Sequence, residues 1–212
     1  MAWASDYITT AELVAYARIS DDDDDVFVAD AIAAASRAID RHCGRQFGVV
    51  ASAELRYYTA QWDRRLCRWI IPVDDLMTTT GLVVTVDGGG TITDYRTEPR
   101  NNVAKGKPWE CITVGTDSTV LPVTDQDGMA ITGLWGWTAV PSAVKAAAKL
   151  QSNRFLHRRD SPWGLAGSPD TGSELRLLAK VDADLKPMLA HFVRRWTVAP
   201  SGNQERTTYP WL

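Results

Sequence analysis

Hydrophobic positions in residues 26–47, VFVADAIAAASRAIDRHCGRQF, recur at helical spacing. Val28, Ala31, Ile32, Ala35, Ile39 and Cys43 form one stripe, and Asp30, Arg37, Asp40 and Arg41 fall opposite it. That pattern predicts a helix over residues 24–43 with one buried face. Gly44 stands where a left-handed cap is expected, after a basic last turn suited to the carbonyl end of a helix. Upstream, Thr9-Thr10-Ala11-Glu12 reads as a capping box. It opens a short helix over residues 10–18 that turns Leu13, Val14 and Ala17 inward. From residue 54 to residue 137 the period drops to two, which predicts strands over 55–59, 68–71, 82–86, 91–95 and 109–114. An alternating segment, 129–137, closes the tract. Asp87-Gly88-Gly89-Gly90 is a hairpin turn signal, and Asn101-Asn102 with Lys105-Gly106-Lys107-Pro108 marks another turn or a longer loop.

Helical spacing returns at Pro141 and continues to Arg159, with Val144, Ala147, Ala148 and Phe155 on one stripe and Leu150 and Leu156 on opposite flanks. A helix apolar on more than one side is buried between neighbours, and here those neighbours can include another subunit. Residues 161–173, SPWGLAGSPDTGS, read as a loop. A last helix is predicted from Asp182 or Asp184 to Trp196, with Leu185, Met188, Leu189, Phe192 and Val193 on its apolar side and Pro187 in its first turns. Residues 197–212 have no helical period and end Tyr209-Pro210-Trp211-Leu212. Such a tail is disordered alone but carries apolar anchors suited to folding on a partner. The expected fold is therefore α+β: a mainly helical frame of four helices (8–47 and 140–196), a central antiparallel β insertion (54–137), and an extended C-terminal tail. Residues 1–196 form one domain in this reading.

Composition changes this picture in two places. Nine tryptophans are more than one core of 212 residues needs. Some fit aromatic filling of a β region, and others fit protein interfaces, where tryptophan is enriched. Trp163 and Trp211, in Pro/Gly-rich or terminal segments, are the better interface candidates. The net charge of −3 excludes a global basic field for nucleic acid or an acidic membrane. The rest is ordinary: 45% hydrophobic and 23% charged residues describe a globular chain. Three cysteines with no C-x-x-C spacing point to reduced thiols in a cytosolic setting rather than a disulfide framework or zinc site. The opening MAWASDYITT has no basic segment followed by an apolar one, so no signal peptide is expected, and no apolar run is long enough to span a bilayer.

Candidate chemistry is sparse. Residues 21–25 are five consecutive aspartates without the spaced ligands, glycine and distal glutamate of a calcium loop. A solvated turn whose last carboxylates meet a helix N-terminus outweighs metal binding. Gly88 to Gly90 lack the Gly-Lys-Ser/Thr ending of a phosphate loop. His42, His157 and His191 fall within predicted helices, and no nucleophile motif accompanies them. His42 and Cys43 are adjacent on a helix and make a poor dyad. Asp74-Asp75 and Asp182 with Asp184 fit turns and helix starts better than acid–base work. Arg154, His157, Arg158 and Arg159 fill a last turn. Their first reading is favourable interaction with the helix C-terminus, and the sharper one is contact with DNA phosphates. No catalytic, cofactor-binding or metal site is expected.

Two stretches together resemble the head–tail connector (adaptor) proteins of long-tailed double-stranded DNA phages. The first is Ile8-Thr9-Thr10-Ala11-Glu12-Leu13 followed, after the acidic gap, by Ala-Ser-Arg-Ala-Ile and Cys-Gly-Arg-Gln-Phe within residues 31–47. The second runs from Val140-Pro141-Ser142-Ala143-Val144-Lys145-Ala146-Ala147 to Arg158-Arg159-Asp160-Ser161-Pro162-Trp163-Gly164. The Asp182-to-Trp196 segment also fits. The resemblance covers both ends of the chain, and no position of the β tract or of the tail is matched. It implies a structural virion protein without catalysis, made in the host cytoplasm and located in the neck. Such proteins form a ring, commonly dodecameric, below the portal, where they extend the DNA channel and dock the stopper or tail-completion proteins. It implies a tail segment that docks on the portal, here Trp196, Tyr209, Pro210, Trp211 and Leu212. The subunit contacts of such a ring would involve Val144, Leu150, Leu156 and Trp163. Arg154, Arg158 and Arg159 would face DNA that passes through the lumen without sequence-specific binding, and no membrane is involved. Alternatives are another neck component, a stopper or tail terminator, which tend to be smaller and richer in β-structure, or a small hydrolase. The hydrolase would need a polar cluster drawn from residues such as Asp74, Asp75, His157 and Asp160.

Overall fold

A computed structural model describes residues 5–19, 25–160, 165–166, 175–176 and 184–194. The fold is α+β, with four helices and two four-stranded antiparallel sheets. The chain divides into two compact units. Residues up to 48 and from 139 to 194 form a helical unit, and residues 49–138 form a β unit.

The helical unit contains α1 (Thr10–Ala17), α2 (Asp25–Cys43), α3 (Ser142–Asp160) and α4 (Leu185–Leu189). The capping box is present: the Thr9 hydroxyl accepts from the Glu12 N–H at 3.2 Å, and the Glu12 carboxylate accepts from the Thr9 N–H at 3.0 Å. The helix stops one residue earlier than predicted, on Arg18 in the left-handed region (φ 54°). The predicted stripe of α2 is buried at every position, Val28, Ala31, Ile32, Ala35, Ile39 and Cys43. Gly44 takes φ +63°, and the N–H groups of Gly44 and Arg45 both donate to the Asp40 carbonyl, closing the helix as a glycine cap does. Helix α3 packs on α2, and its Val144, Ala147 and Ala148 are all fully buried. Gln151 and Ser152 are buried beside them, polar positions within an otherwise apolar face.

The last helix is shorter than predicted. It ends at Leu189, with Leu185 and Leu189 buried, and residues 190–194 leave the helical path. The Phe192 N–H turns back to the Leu189 carbonyl at 2.8 Å, and the Arg194 N–H donates to the Cys43 carbonyl at the end of α2 at 2.8 Å. A bond that satisfies an orphan carbonyl of another helix competes with continuing this one. Pro187, without an N–H, weakens the helical alternative further. Leu165–Ala166 (β9), in the predicted loop after α3, and Leu175–Arg176 (β10), just beyond it, pair antiparallel.

The β unit holds eight strands: β1 (Glu54–Tyr58), β2 (Gln61–Asp63), β3 (Arg68–Leu76), β4 (Val83–Val86), β5 (Thr91–Ile92), β6 (Tyr95–Glu98), β7 (Trp109–Val114) and β8 (Met129–Gly133). One sheet has the order β1-β8-β4-β5 and the other β2-β3-β7-β6. The predicted strand over 91–95 is really two. Thr91–Ile92 pairs with β4, and Tyr95–Glu98 pairs with β7 in the other sheet, so the chain changes sheets at Thr93-Asp94. Alternation alone cannot show that change, because both short strands keep the same period. Strand β3 extends five residues past its predicted end, carrying Asp74 and Asp75 into a strand rather than a turn. Strand β2 is absent from the predictions. The segment 129–137 is a strand only to Gly133, and Trp135 and Gly136 make isolated bridges with Leu76. The 87–90 hairpin is present, with Gly88 at φ +67° and the Val86 N–H donating to the Gly90 carbonyl.

Candidate functional site

In each unit a polar network gathers around an aromatic side chain. In the helical unit, Tyr7 lies against the C-terminal half of α2. Its N–H donates to Ser36 Oγ at 3.3 Å, its hydroxyl donates to the Asp40 carboxylate, and the same hydroxyl accepts from the Phe47 N–H at 3.0 Å. Arg37 Nη2 donates to the Ser5 carbonyl at 2.7 Å, and Arg37 Nε lies 3.1 Å from Asp40. The Tyr7 and Phe47 rings meet edge to face at 5.8 Å, and Phe192 meets Phe47 in the same way. Burial pushes both Tyr7 and Asp40 above their ordinary ranges. The tyrosine bond and Arg37 pull Asp40 back without overcoming its burial. The network ties three distant segments, 5–7, 36–40 and 47, around the glycine exit of α2. Its chemistry is that of a clasp.

In the β unit, Asp74 accepts from Arg56 Nη1 at 2.7 Å and from the Tyr58 hydroxyl at 3.0 Å. Arg56 also bonds Glu54 at 3.1 Å and lies 5.3 Å from the Trp135 ring. Burial opposes the Arg56 charge, but its bonds to Asp74 and Glu54 raise it overall. Burial, with the Asp74 charge next, holds the Tyr58 phenol protonated far above neutral pH. Asp75 faces the other way, as alternate strand residues must. It is buried and accepts from Trp137 Nε1 at 2.7 Å. The Asp74-Asp75 pair is thus divided between two faces of one strand and cannot act jointly on one substrate atom.

The remaining titratable residues named from sequence are separated. Burial, with Lys186 next, lowers the His42 imidazole, while His157 and His191 are exposed. Burial pushes the Cys43 thiol up to about 12 and the Cys111 thiol up to about 11. Both are poor nucleophiles at neutral pH. Among the described residues, no group of three or more His, Cys, Asp or Glu side chains is placed to hold a metal ion. No described helix is long and apolar enough to cross a membrane.

Of the predicted subunit-contact residues, Val144 is fully buried within the helical unit, Leu156 is half-buried, and Leu150 is 40% exposed. Arg154 and Arg158 are half-buried and engaged in interactions of their own. The side chains of Arg159 and Asp160 lie outside the described residues, as do Trp163, Trp196, Tyr209, Pro210, Trp211 and Leu212 and most of the aspartate run. Sequence reading missed an apolar row on the outer face of the β1-β8-β4-β5 sheet. Leu55, Thr132 and Val83 stand across from one another in register, with Tyr57 one pleat along, and Leu55, Tyr57 and Val83 are all exposed. The signal was present as the apolar–polar alternation of residues 54–58, but alternation does not say which face is covered.

Among protein-family models none matches the chain, and a search of curated proteins finds no match either.

Proposed function

We propose that this protein is a structural subunit of a phage neck, a head–tail adaptor. It acts by ring assembly below the portal, extends the DNA channel, and docks the stopper or tail. The observation that carries the reading is element order. Two helical stretches with the adaptor-like motifs, 8–47 and 140–160, belong to one compact unit, and a β unit is inserted between them. Exposed apolar surface adds support: Leu150 on α3 and the Leu55, Tyr57 and Val83 row are available for contact between subunits. A closed ring needs two different faces of each subunit to meet.

Native mass spectrometry with and without the cognate portal protein tests this. The expected result is a ring that forms, or grows, only with portal. A chain ending at Trp196 should stay folded and lose portal binding. Association with an isolated tail-tube end, and not with portal, would make the protein a tail terminator instead. Cryo-electron microscopy of virions that placed the chain outside the neck would end the proposal.

A further inference from the structure

The turn between β2 and β3 carries the most concentrated unbalanced positive charge in the β unit. It reads Gln61-Trp62-Asp63-Arg64-Arg65-Leu66-Cys67-Arg68-Trp69 in a chain whose net charge is −3. The local fold directs this charge outward. Trp62 and Trp69 pair directly across the two strands with their rings 5.1 Å apart, edge to face, and brace the base of the tip. The Asp63 carboxylate accepts from the N–H groups of Arg65 (2.9 Å) and Leu66 (3.3 Å), so the one acidic side chain is turned into the loop. Cys67 takes φ +48°, which returns the chain sharply to β3. Arg68 is neutralised by Glu98 at 2.9 Å. Arg64, Arg65 and Leu66 remain at the apex, all exposed, Leu66 by 54%, and neither arginine makes an ion pair among the described residues.

We infer that this hairpin tip is a contact for the phosphate backbone of double-stranded nucleic acid. Arg64 and Arg65 grip phosphates, and Leu66 packs on the sugar–groove wall between them. Three observations fit that partner. Both free cations are arginine, whose planar fork matches phosphate oxygens two at a time. A two-stranded ribbon is narrow enough to enter the major groove. The tryptophans behind the tip are occupied with each other, so the tip offers charge and one aliphatic side chain rather than a stacking platform for single strands. The inference does not depend on the adaptor reading, since it concerns the isolated chain and residues that reading did not name.

The test is binding of the full chain to a short labelled duplex by fluorescence anisotropy over a range of salt concentrations. Two phosphate contacts predict weak binding at low salt, with log K falling against log salt at a slope of roughly −2. Arg64→Ala/Arg65→Ala should bring that slope close to zero, each arginine contributing roughly one unit. Arg96→Ala/Arg100→Ala, which makes the same change in net charge at exposed positions elsewhere, should leave it intact. Leu66→Ser should weaken binding without changing the slope. Circular dichroism checks that each variant is folded. The inference is overturned if the wild-type chain does not bind duplex at low salt. An equal loss in the Arg96/Arg100 control would also overturn it, because the effect would then be one of net charge. A polyglutamate peptide competing as well as the duplex would assign the tip to an acidic protein partner.

Discussion

In the helical unit the buried faces of α2 and α3 carry Ala31, Ala35 and Ser36 on one side and Ala147, Ala148 and Ser152 on the other, with Val28, Ile32, Ile39 and Val144 among them. In the β unit the largest buried side chains are Trp135, Trp137, Met129, Ile131, Ile71, Ile112 and Leu76, with the smaller Val73, Val84, Val114 and Ala130 buried beside them. The helices use small residues because two rods approach closely only where side chains are short. Twisted sheets leave a deeper space that large side chains must fill. Helical burial therefore fails when volume is added, and β burial fails when volume is removed.

The sharpest test removes Trp135. Its ring is fully buried, its Nε1 donates to the Glu54 carbonyl at 2.8 Å, and both Tyr58 and Arg56 lie against it. Trp135→Ala should lower the unfolding free energy by about 3–5 kcal/mol. Urea titration followed by tryptophan fluorescence reads the loss, and a change under about 1 kcal/mol would show that the cavity collapses without penalty. The opposite test adds volume: Ala35→Leu should cost about 1–3 kcal/mol, seen by far-ultraviolet circular dichroism. If it is neutral, α2 and α3 have slack between them and the contrast between the units fails.

A smaller effect, about 1.5 kcal/mol, is expected for Tyr7→Phe, which removes a hydrogen bond to a half-buried carboxylate and takes the hydroxyl acceptor from the Phe47 N–H. It also carries a pH signature. Because burial raises the Asp40 pKa in the folded state, the native protein holds that proton more tightly than the unfolded chain does. The Asp40 contribution is therefore greatest below the ordinary carboxylate range and declines as pH rises through the raised value. Tyr7→Phe, by removing a bond that favours the charged form, should extend the decline to higher pH, and Asp40→Asn should abolish it. Stability profiles of the three proteins from pH 3 to pH 7 decide the matter, and parallel profiles would remove Asp40 from the account. Least is expected of the Arg68–Glu98 pair, partly exposed on both sides. A double-mutant cycle should give a coupling of about 0.2–1 kcal/mol, falling with added salt. A larger value would mean that the pair organises the hairpin tip rather than merely neutralising Arg68.

The helices were legible because their signals are local. The Thr9–Glu12 capping box, the α2 stripe and the Gly44 stop each involve residues within a turn or two of one another, and each is present as read. The β region was legible in kind and not in arrangement. Strand β2 is three residues long and holds tryptophan between two polar residues, which gives periodicity too little length to register. The separation of Thr91–Ile92 from Tyr95–Glu98 depends on which distant strand offers hydrogen bonds, and the continuation of β3 through Asp74 and Asp75 is met by the backbone of Trp135 and Gly136. The polar networks were invisible for the same reason. Tyr7 and Asp40 are 33 residues apart, and Trp137 and Asp75 are 62 apart. The basic hairpin tip sits in plain sequence as Asp-Arg-Arg-Leu-Cys-Arg, but without strand β2 nothing marks it as an apex.

From the sequence alone came the α+β class, the helical frame at the two ends, and the small-residue faces along which it packs. These follow from the geometry of one helix, which repeats every few residues and needs no partner to be recognised. Only the tertiary structure decided that the β tract is two sheets, that Asp74 and Asp75 point apart, that α4 stops early on a bond to the end of α2, and that the Arg64 and Arg65 side chains form no ion pair with a described carboxylate. Each of those outcomes is a competition among hydrogen-bond partners far apart in the chain, and only the folded whole settles which partner wins.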